Sequence, residues 1–377
     1  MSIAICPVKT EKDLDDFLDL PYRLRSEDNL WIPPLKKQEK ELLVSHPFWD
    51  TAKKSLILAR DGSEVVGRIC AVVDEKYNAY AKTSCGAFGF FESRDDRDVA
   101  RELLDNAQDW LAAQGMSYMR GPLNPSTNYS CGMLVDGFDV RPGIMMPWNP
   151  PYYPALLESL GMRKEQDLFA YHIEKNGPEI APWLKDEIKR LKAENSFSYR
   201  SSSKKTLKSD IAAMLDIYRL SWADNWAFSP LSPKEADKIV EELSAILDPE
   251  FFVLFFSDGK PAAGMVAMPD LTPLLKRLDG KMGLLAPWHY LKSRKETRKS
   301  YRIMLFGILP EYRLRGLPLL LFDFMLEKAR SHPDLEWVEG SWTLEDNFAI
   351  DDLIEDFSGK IKKRYRIYRR EIAPCSN

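Results

Sequence analysis

The spacing of apolar and polar residues along the chain predicts both strands and helices. Residues 3–8 have a strand pattern, and residues 10–24 have an amphipathic helical pattern. Two later segments, 56–71 and 252–267, each place an Asp-Gly pair between apolar runs, which is a strong signal for a β-hairpin. The pattern therefore indicates a protein that mixes hairpins with amphipathic helices.

The two hairpin segments belong to an internal repeat with an offset of 197 residues. At this offset Gly67 coincides with Gly264, and Tyr171 coincides with Tyr368. Each copy begins with the hairpin and ends with a short amphipathic helix and a strand that finishes in an aromatic residue. A chain of 377 residues suits two domains of roughly 150 to 200 residues. We therefore predict two domains in tandem, 1–178 and 179–377.

A strand pattern runs directly into a charged, glycine-containing turn and then a helix between residues 306 and 329. The first-turn amides of a helix have no partner within the helix, and the positive end of its macrodipole favours anions. Arg313 and Arg315 add positive charge, and Gly316 allows a close approach of the backbone. This pattern predicts a pyrophosphate site, whereas the alternative is an ordinary capped surface helix.

The run Leu-Pro-Glu-Tyr-Arg-Leu-Arg-Gly, residues 309–316, resembles motif A of the GNAT acyltransferases, whose Arg/Gln-x-x-Gly-x-Gly/Ala turn holds the pyrophosphate of coenzyme A. The resemblance implies an α+β or α/β fold of two tandem GNAT domains, each a mixed, mostly antiparallel sheet flanked by helices. It implies acetyl-coenzyme A or a longer acyl-coenzyme A as co-substrate. The implied binding residues are Ile308, Leu309, Arg313, Leu314, Arg315, Gly316 and Leu317. Pro318 stands where the family has Gly or Ala, which removes one amide donor.

The corresponding connection in the first domain has a different character. Residues 92–98 contain four carboxylates, two arginines and no glycine. A pyrophosphate would meet repulsion there instead of amide donors. We therefore predict that only the second domain binds the coenzyme.

Acceptor binding is assigned to two segments. In GNAT proteins the loop between the first two helices covers the acceptor pocket, so the resemblance implies that Trp222, Asn225 and Trp226 bind the acceptor; core packing is the alternative. The long segment 120–153, rich in Gly, Pro and Asn, contributes Asn124 and Asn128 as further candidates. The alternative for this segment is an irregular cover over the sheet between the domains.

The resemblance also implies catalytic residues. GNAT enzymes commonly have an Asn at the start of motif B, which Asn347 matches, but the usual Tyr one turn later is replaced by Ile354. Tyr365 and Tyr368 are the candidate substitutes that protonate the thiolate. Tyr365 is the predicted one, because Tyr368 coincides with Tyr171 in the repeat, which favours a packing role. An amine attacking the thioester directly needs a proton acceptor, for which Glu345 is predicted and Glu339 is the second choice. A structural salt bridge is the alternative for each glutamate.

From Trp31-Ile-Pro-Pro-Leu35 through Arg120-Gly-Pro122 to Trp342-x-Leu-Glu-Asp-Asn347, the chain resembles a bacterial family of tandem-GNAT proteins related to bacterial ceramide synthases. The resemblance implies acyl transfer from coenzyme A to an amine, with a long-chain lipid amine as one candidate acceptor. The alternative is a non-catalytic protein that binds coenzyme A or serves as a scaffold.

The composition of the chain limits the classes of partner that we expect it to bind. A net charge of −4 disfavours nucleic acid, and five cysteines without a Cys-x-x-Cys pair indicate neither zinc nor disulfides, so no metal is expected. The sequence has neither a signal-peptide pattern nor 18 consecutive apolar residues, which predicts a cytoplasmic protein.

The insertion 271–302 differs in composition from the rest of the chain, because its apolar stretches accompany nine Lys or Arg and two acidic residues. It predicts peripheral contact with the inner membrane, whereas a solvated helical hairpin is the alternative; the oligomeric state stays open.

Overall fold

A computed structural model describes residues 3–177, 180–194 and 197–373. The predicted domain boundary at 178 and 179 lies outside the described residues and stays a prediction. The strands within the described part are β1 (Ile3–Pro7), β2 (Ala52–Asp61), β3 (Glu64–Asp74), β4 (Cys85–Ser93), β5 (Tyr118–Gly121), β6 (Leu123–Asn124), β7 (Ser130–Cys131), β8 (Met133–Asp136), β9 (Arg163–Glu174), β10 (Ser198–Ser201), β11 (Phe252–Ser257), β12 (Lys260–Pro269), β13 (Ser300–Ile308), β14 (Trp337–Leu344) and β15 (Lys360–Glu371).

The α-helices lie between these strands in the chain. They are α1 (Glu11–Leu24), α2 (Lys36–Val44), α3 (Glu75–Ala81), α4 (Arg97–Ala113), α5 (Tyr153–Ser159), α6 (Pro182–Glu194), α7 (Leu207–Ser221), α8 (Pro233–Ile246), α9 (Thr272–Leu278), α10 (Ala286–Ser293), α11 (Leu317–Ser331) and α12 (Phe348–Asp356). Capping boxes start α1 at Thr10 and α8 at Ser232, where a side-chain oxygen satisfies a first-turn amide.

One sheet runs through the described molecule in the order β1-β2-β3-β4-β5-β15-β9-β14-β13-β12-β11-β10, and β8 pairs with β15 beside this path. We call the described residues up to 177 the first half and those from 180 onward the second half. The strand order is symmetric about its centre, where the two halves exchange their last strands. Strand β15 of the second half pairs with β5, and β9 of the first half pairs with β14. Each half therefore completes the sheet of the other.

Helices cover both faces of this sheet. We call the face that carries α1, α2, α7 and α8 the front face, and the face that carries α4, α6 and α11 the back face. Side chains alternate between these faces along each strand: Leu168 and Ala170 of β9 join the core beneath α1, whereas Tyr171 and Ile173 join the core beneath α11. The two faces of the sheet therefore have separate apolar cores.

The irregular segment 122–152 lies across the front face. Trp148 and Met146 pack into the core of the first half, and Ile144 packs into the core of the second half. The side chain of Asn149 holds the backbone of Leu134, accepting from its N–H at 2.7 Å and donating to its carbonyl at 3.1 Å. The segment therefore packs against the cores of both halves and covers the sheet between them.

Candidate functional site

The parallel strands β13 and β14 separate at their carboxyl ends. They pair as far as Ile303 and Gly340, and within the described ladder no pair follows. Strand β13 continues to Ile308 and β14 to Leu344. The separation leaves a V-shaped opening at the edge of the sheet where both strands end, the usual place for a ligand in sheets with parallel strands.

The predicted phosphate-binding turn follows β13 at this edge. A 3-10 turn, Pro310–Tyr312, leads to Gly316, which is the N-cap of α11 and has a φ of 75°. The positive φ favours glycine at this position, and a Cβ there would also lie 2.5 Å from the side chain of Leu191, which would have to move. Leu317 begins α11 and Pro318 lies in its first turn, where a missing N–H breaks no helical hydrogen bond.

The other residues of the turn have distinct surroundings. Arg313 donates from Nη2 to the carbonyl of Ser221 at 2.7 Å, which ties the turn to the end of α7. The guanidinium of Arg315 lies 4.8 Å from the ring centroid of Phe197. Leu314, between the two arginines, is fully exposed. The positive charges therefore flank a turn whose tip is apolar.

Ile308 and Leu309, two of the residues that the resemblance implies for coenzyme binding, lie at the end of β13. The N–H of Leu309 donates to the carbonyl of Ala262 at 3.0 Å and is therefore engaged with β12. Ile308 is paired with Ala263 in the same antiparallel ladder. Because N–H groups alternate in direction along such a ladder, the N–H of Ile308 faces the opening.

The loop 222–232 between α7 and α8 borders the opening on the front face. Trp222 donates from Nε1 to the carbonyl of Phe306 at 3.0 Å, on the separated part of β13. Its ring centroid is 5.9 Å from that of Trp342 on β14. Asn225 is half-buried and its N–H donates to the carbonyl of Trp222 at 2.9 Å. The structure thus places Trp222 between the two separated strands.

The two asparagines of the first half lie at opposite ends of the hairpin β6–β7. Asn124 accepts a hydrogen bond on Oδ1 from the N–H of Phe90 at 2.6 Å, within the first half. Asn128 contacts the second half: Nδ2 donates to the carbonyl of Ser229 at 2.9 Å, and Oδ1 accepts from Tyr218 at 2.7 Å. The structure therefore brings Asn128, but not Asn124, to the loop that borders the opening.

Glu345 and Asn347 follow β14 at the same edge. The carboxylate of Glu345 accepts from Lys164 Nζ at 2.5 Å and from the N–H of Asp167 at 3.0 Å, so both oxygens contact β9. The two charged side chains stay partly exposed, at 27% and 41%. Asn347 is the N-cap of α12, and no side-chain capping bond is present at this described residue.

Tyr365 lies on the exchanged strand β15, two strands from β14. It is fully buried, and its hydroxyl has no hydrogen-bond partner among the described residues. Burial and the nearby carboxylate of Glu339 raise its pKa well above the usual value, although Arg302 opposes this. The phenol is therefore protonated at neutral pH.

A buried group of charges lies beside Tyr365 on the front face, and we call it the central ionic cluster: Arg302, Glu339, Ser341, Lys363 and His172. The carboxylate of Glu339 accepts from Ser341 at 2.7 Å and from Lys363 at 3.2 Å, and His172 Nε2 is 3.4 Å away. Arg302 donates to Ser341 Oγ at 2.8 Å. Burial acts to raise the pKa of Glu339, but the cations, Lys363 foremost, outweigh it and lower the pKa to about 2. Glu339 is therefore a fixed anion, unsuited to accept a proton near neutral pH.

A further carboxylate, Glu165, is not among the residues predicted from the sequence. It accepts from Arg120 at 2.5 Å, and the same guanidinium lies 5.2 Å from the ring of Trp226 in the loop 222–232. Burial raises the pKa of Glu165, although Arg120 opposes this. Glu165 lies in the polar run Arg-Lys-Glu-Gln-Asp at the start of β9, so no local pattern distinguishes it. Its place in the site depends on the strand exchange, which brings it near Trp226 of the second half.

The equivalent opening in the first half is filled by the chain itself. Strands β4 and β5 also separate, after Ala87 pairs with Arg120. A Cβ on Gly89 would lie only 1.8 Å from the carbonyl oxygen of Leu123, so the backbone occupies this space. Glu92 is buried in an ion pair with Arg25 at 2.5 Å. Within residues 3–177, 180–194 and 197–373, no group of His, Cys, Asp and Glu could hold a metal ion.

Comparison with known proteins agrees with this geometry. No protein-family model matches the chain. The chain is 31% identical over 380 residues to the bacterial ceramide synthase of Caulobacter vibrioides (strain NA1000 / CB15N), covering 98% of each protein. It is 27% identical over 368 residues to YghO of Escherichia coli (strain K12), covering 96% of this chain and 94% of YghO. A solved tandem GNAT protein from the clavulanic acid biosynthesis pathway matches with a TM-score of 0.57 at 13% identity, covering 100% of both chains, which confirms the predicted fold.

Proposed function

The chain belongs to the tandem-GNAT N-acyltransferase family that contains the bacterial ceramide synthase, and from this membership we propose that it transfers an acyl group from coenzyme A to a long-chain amine. The observation that carries the proposal is the Gly316 turn at the mouth of the opening between β13 and β14. The turn leads into the first turn of α11, whose amides have no partner within the helix, and it adds two arginines for a pyrophosphate. The opening beside it gives a thioester access to the strand backbone.

In this proposal the donor binds only to the second half. Residues 313–317 hold the pyrophosphate, and the N–H of Ile308 polarises the thioester carbonyl. The closed opening of the first half, where Leu123 lies against Gly89, supports this division of roles. Trp222, Asn225 and Trp226 contact the acceptor on the front face.

Glu345 is the proposed proton acceptor. Its ion pair with Lys164 is partly exposed, and such pairs contribute little to stability. The ammonium group of an incoming amine can therefore replace Lys164 at modest cost and then lose its proton to the carboxylate. The N–H of Asp167 keeps the carboxylate oriented. Asn347, two residues later, can hydrogen-bond a bound substrate at the same edge.

Tyr365 is the proposed proton donor to the departing thiolate. Its phenol stays protonated because burial and Glu339 raise its pKa. It lies two strands from β14, so a bound water has to relay the proton. Loss of turnover in Tyr365→Phe, with unchanged coenzyme affinity, would support this role.

Glu345→Gln is expected to lower the turnover number about 100-fold, because general-base catalysis contributes at least this much. The affinity for coenzyme A, measured by calorimetry, should not change, since the carboxylate acts on the amine. The rate should recover as the pH rises and the free amine becomes abundant.

Lys164→Ala is the matched control, because it removes the other half of the ion pair and leaves the carboxylate. It should keep most of the turnover. If Glu345→Gln has wild-type turnover, the ion pair is structural and the proton acceptor lies elsewhere, with Glu165 as the next residue to replace.

The insertion 271–302 supports a lipid substrate. It folds into α9, α10 and a 3-10 turn, and its apolar side chains are exposed: Met282, Leu284, Leu285, Trp288, Tyr290 and Leu291. Exposed cations surround them: Lys281, Lys292, Arg294 and Lys295. Apolar groups beside basic groups fit an anionic membrane surface. None of the described helices is long and apolar enough to cross a membrane. We therefore propose peripheral contact with the cytoplasmic face of the inner membrane.

Leu284→Glu/Leu285→Glu is expected to weaken binding to phosphatidylglycerol vesicles at least about 10-fold, since each exposed leucine loses its burial in lipid. Wild-type binding should fall as salt rises, because surface charges are screened. Val44→Glu, at another exposed apolar residue, is the matched control in the co-sedimentation assay. Equal turnover with acetyl and palmitoyl donors, together with no vesicle binding at low salt, would contradict a lipid role.

A further inference from the structure

The hairpin β6–β7 of the first half reaches from one opening of the sheet to the other. Its base is fixed where β4 and β5 separate: Leu123 lies against Gly89, and Asn124 accepts from the N–H of Phe90. Its two strands pair through Leu123 with Cys131 and through Asn124 with Ser130. The hairpin is therefore anchored in the rigid sheet of the first half.

The tip of the hairpin holds the loop 222–232 of the second half. Thr127 donates from its hydroxyl to the carbonyl of Ala227 at 2.8 Å, and Asn128 donates to the carbonyl of Ser229 at 2.9 Å. Asn128 also accepts from the hydroxyl of Tyr218 at 2.7 Å. Three hydrogen bonds thus connect two adjacent residues of the first half to the loop and the helix before it.

The loop 222–232 contains a residue in an unfavourable backbone conformation, which hydrogen bonds from outside the loop help to hold. Ala227 has a φ of 51°, in the left-handed region that is unfavourable for a residue with a Cβ. The hydrogen bond from Thr127 falls on the carbonyl of this strained residue. The hydroxyl of Ser229 donates to Asp74 of β3 at 3.0 Å, and Tyr80 donates to the carbonyl of Ala223 at 2.9 Å. All these supporting groups belong to the first half.

The same contacts lead to the opening between β13 and β14. The ring of Tyr218 lies 5.2 Å from that of Trp222, measured between centroids. Trp222 in turn donates to the carbonyl of Phe306 on the separated part of β13. A shift of the hairpin tip would therefore move Trp222, the residue that stands between the separated strands.

From these contacts we infer that the first half, which has lost its own opening, sets the position of the acceptor loop in the second half. Thr127 and Asn128 are positioning residues: they act on the acceptor through Trp222 and Trp226. This inference rests on the proposed function for its kinetic readout. It assigns to the first half a role in acceptor affinity that is separate from donor binding.

Thr127→Val removes the hydroxyl donor and keeps the shape of the side chain. Asn128→Asp keeps the acceptor for Tyr218 and loses the donor to Ser229. Each variant should raise the KM for dodecylamine about 10-fold, since a buried carbonyl loses its partner. The dissociation constant of coenzyme A, measured by calorimetry, should stay unchanged. Thr127→Ser, which restores the hydroxyl, should return the KM to the wild-type value.

Asn106→Asp is the matched control. Asn106 donates to the carbonyl of Glu102 at 2.8 Å on α4, which packs on the back face, so this variant loses a side-chain bond to a carbonyl on the face opposite to the loop. A KM that rises equally in Asn106→Asp, or an unchanged KM in both hairpin variants, would overturn the inference.

Amide hydrogen exchange separates this inference from the proposed function. Exchange in residues 222–229 should speed up in Thr127→Val and Asn128→Asp, and it should not change in Asn106→Asp. If no amine is acylated by the wild type, the proposed function fails, but faster exchange would still show that the hairpin holds the loop. Unchanged exchange in the hairpin variants would overturn the inference whatever the activity.

Discussion

Replacing Gly316 by glutamate is expected to lower the affinity for coenzyme A about 100-fold or more. The φ of 75° is unfavourable for any residue with a Cβ, and the new Cβ would lie 2.5 Å from Leu191. The added carboxylate would also stand where the turn is proposed to hold a pyrophosphate. Calorimetry with coenzyme A measures the loss directly.

Gly259→Glu is the matched control in the same half. Gly259 also has a φ of 75° in a hairpin turn, and nothing lies within 4 Å of a Cβ there. The control thus introduces the same charge and the same backbone strain away from the site. It should bind one equivalent of coenzyme A, as the wild type should. An unchanged affinity in Gly316→Glu, or two equivalents bound by the wild type, would show that the roles of the two halves are misassigned.

Local patterns in the sequence predict many of the turns, strands and helices. The Asp-Gly pairs at 61–62 and 258–259 form the predicted turns between β2 and β3 and between β11 and β12. The strand, charged turn and helix around Gly316 also form as predicted. These features depend on neighbours in the sequence, such as turn residues and helix starts, so one sequence is sufficient to find them.

The exchange of the last strands could not be predicted in this way. Strands β9 and β15 have similar patterns, and nothing local in them selects β14 or β5 as the neighbour. The exchange places Tyr365 two strands from the opening, although the sequence suggested it for the reaction centre. It also assembles Glu165 with Trp226, and Lys363 with Glu339. These parts of the site depend on contacts between residues that are distant in the sequence, which local patterns do not reveal.

Glu339→Gln is expected to destabilise the protein by about 3–5 kcal/mol, which corresponds to a melting temperature lower by about 4–6 °C. Lys363 and Glu339 are both almost completely buried. Without the carboxylate, Lys363 would be an uncompensated charge in the centre of the sheet that joins the two halves. Thermal unfolding followed by circular dichroism, compared with the wild type, measures the effect.

Lys363→Met in the Glu339→Gln background should recover most of the loss, because the unpaired charge is removed. Glu336→Gln is the control, since its ion pair with Lys299 is exposed and contributes little. A melting temperature of Glu339→Gln equal to that of Glu336→Gln would show that the cluster is not stabilising.

The pH dependence gives an independent test of the same pair. The pKa of Glu339 is about 2 in the folded protein, below its value in the unfolded chain. A group with a lowered folded pKa stabilises the fold above its unfolded pKa and loses this effect as the pH falls toward its folded pKa. The stability difference between wild type and Glu339→Gln should therefore be full above about pH 5 and shrink below it. A difference that stays constant from pH 6 to the acid unfolding transition would mean that the carboxylate is not held as an anion by Lys363.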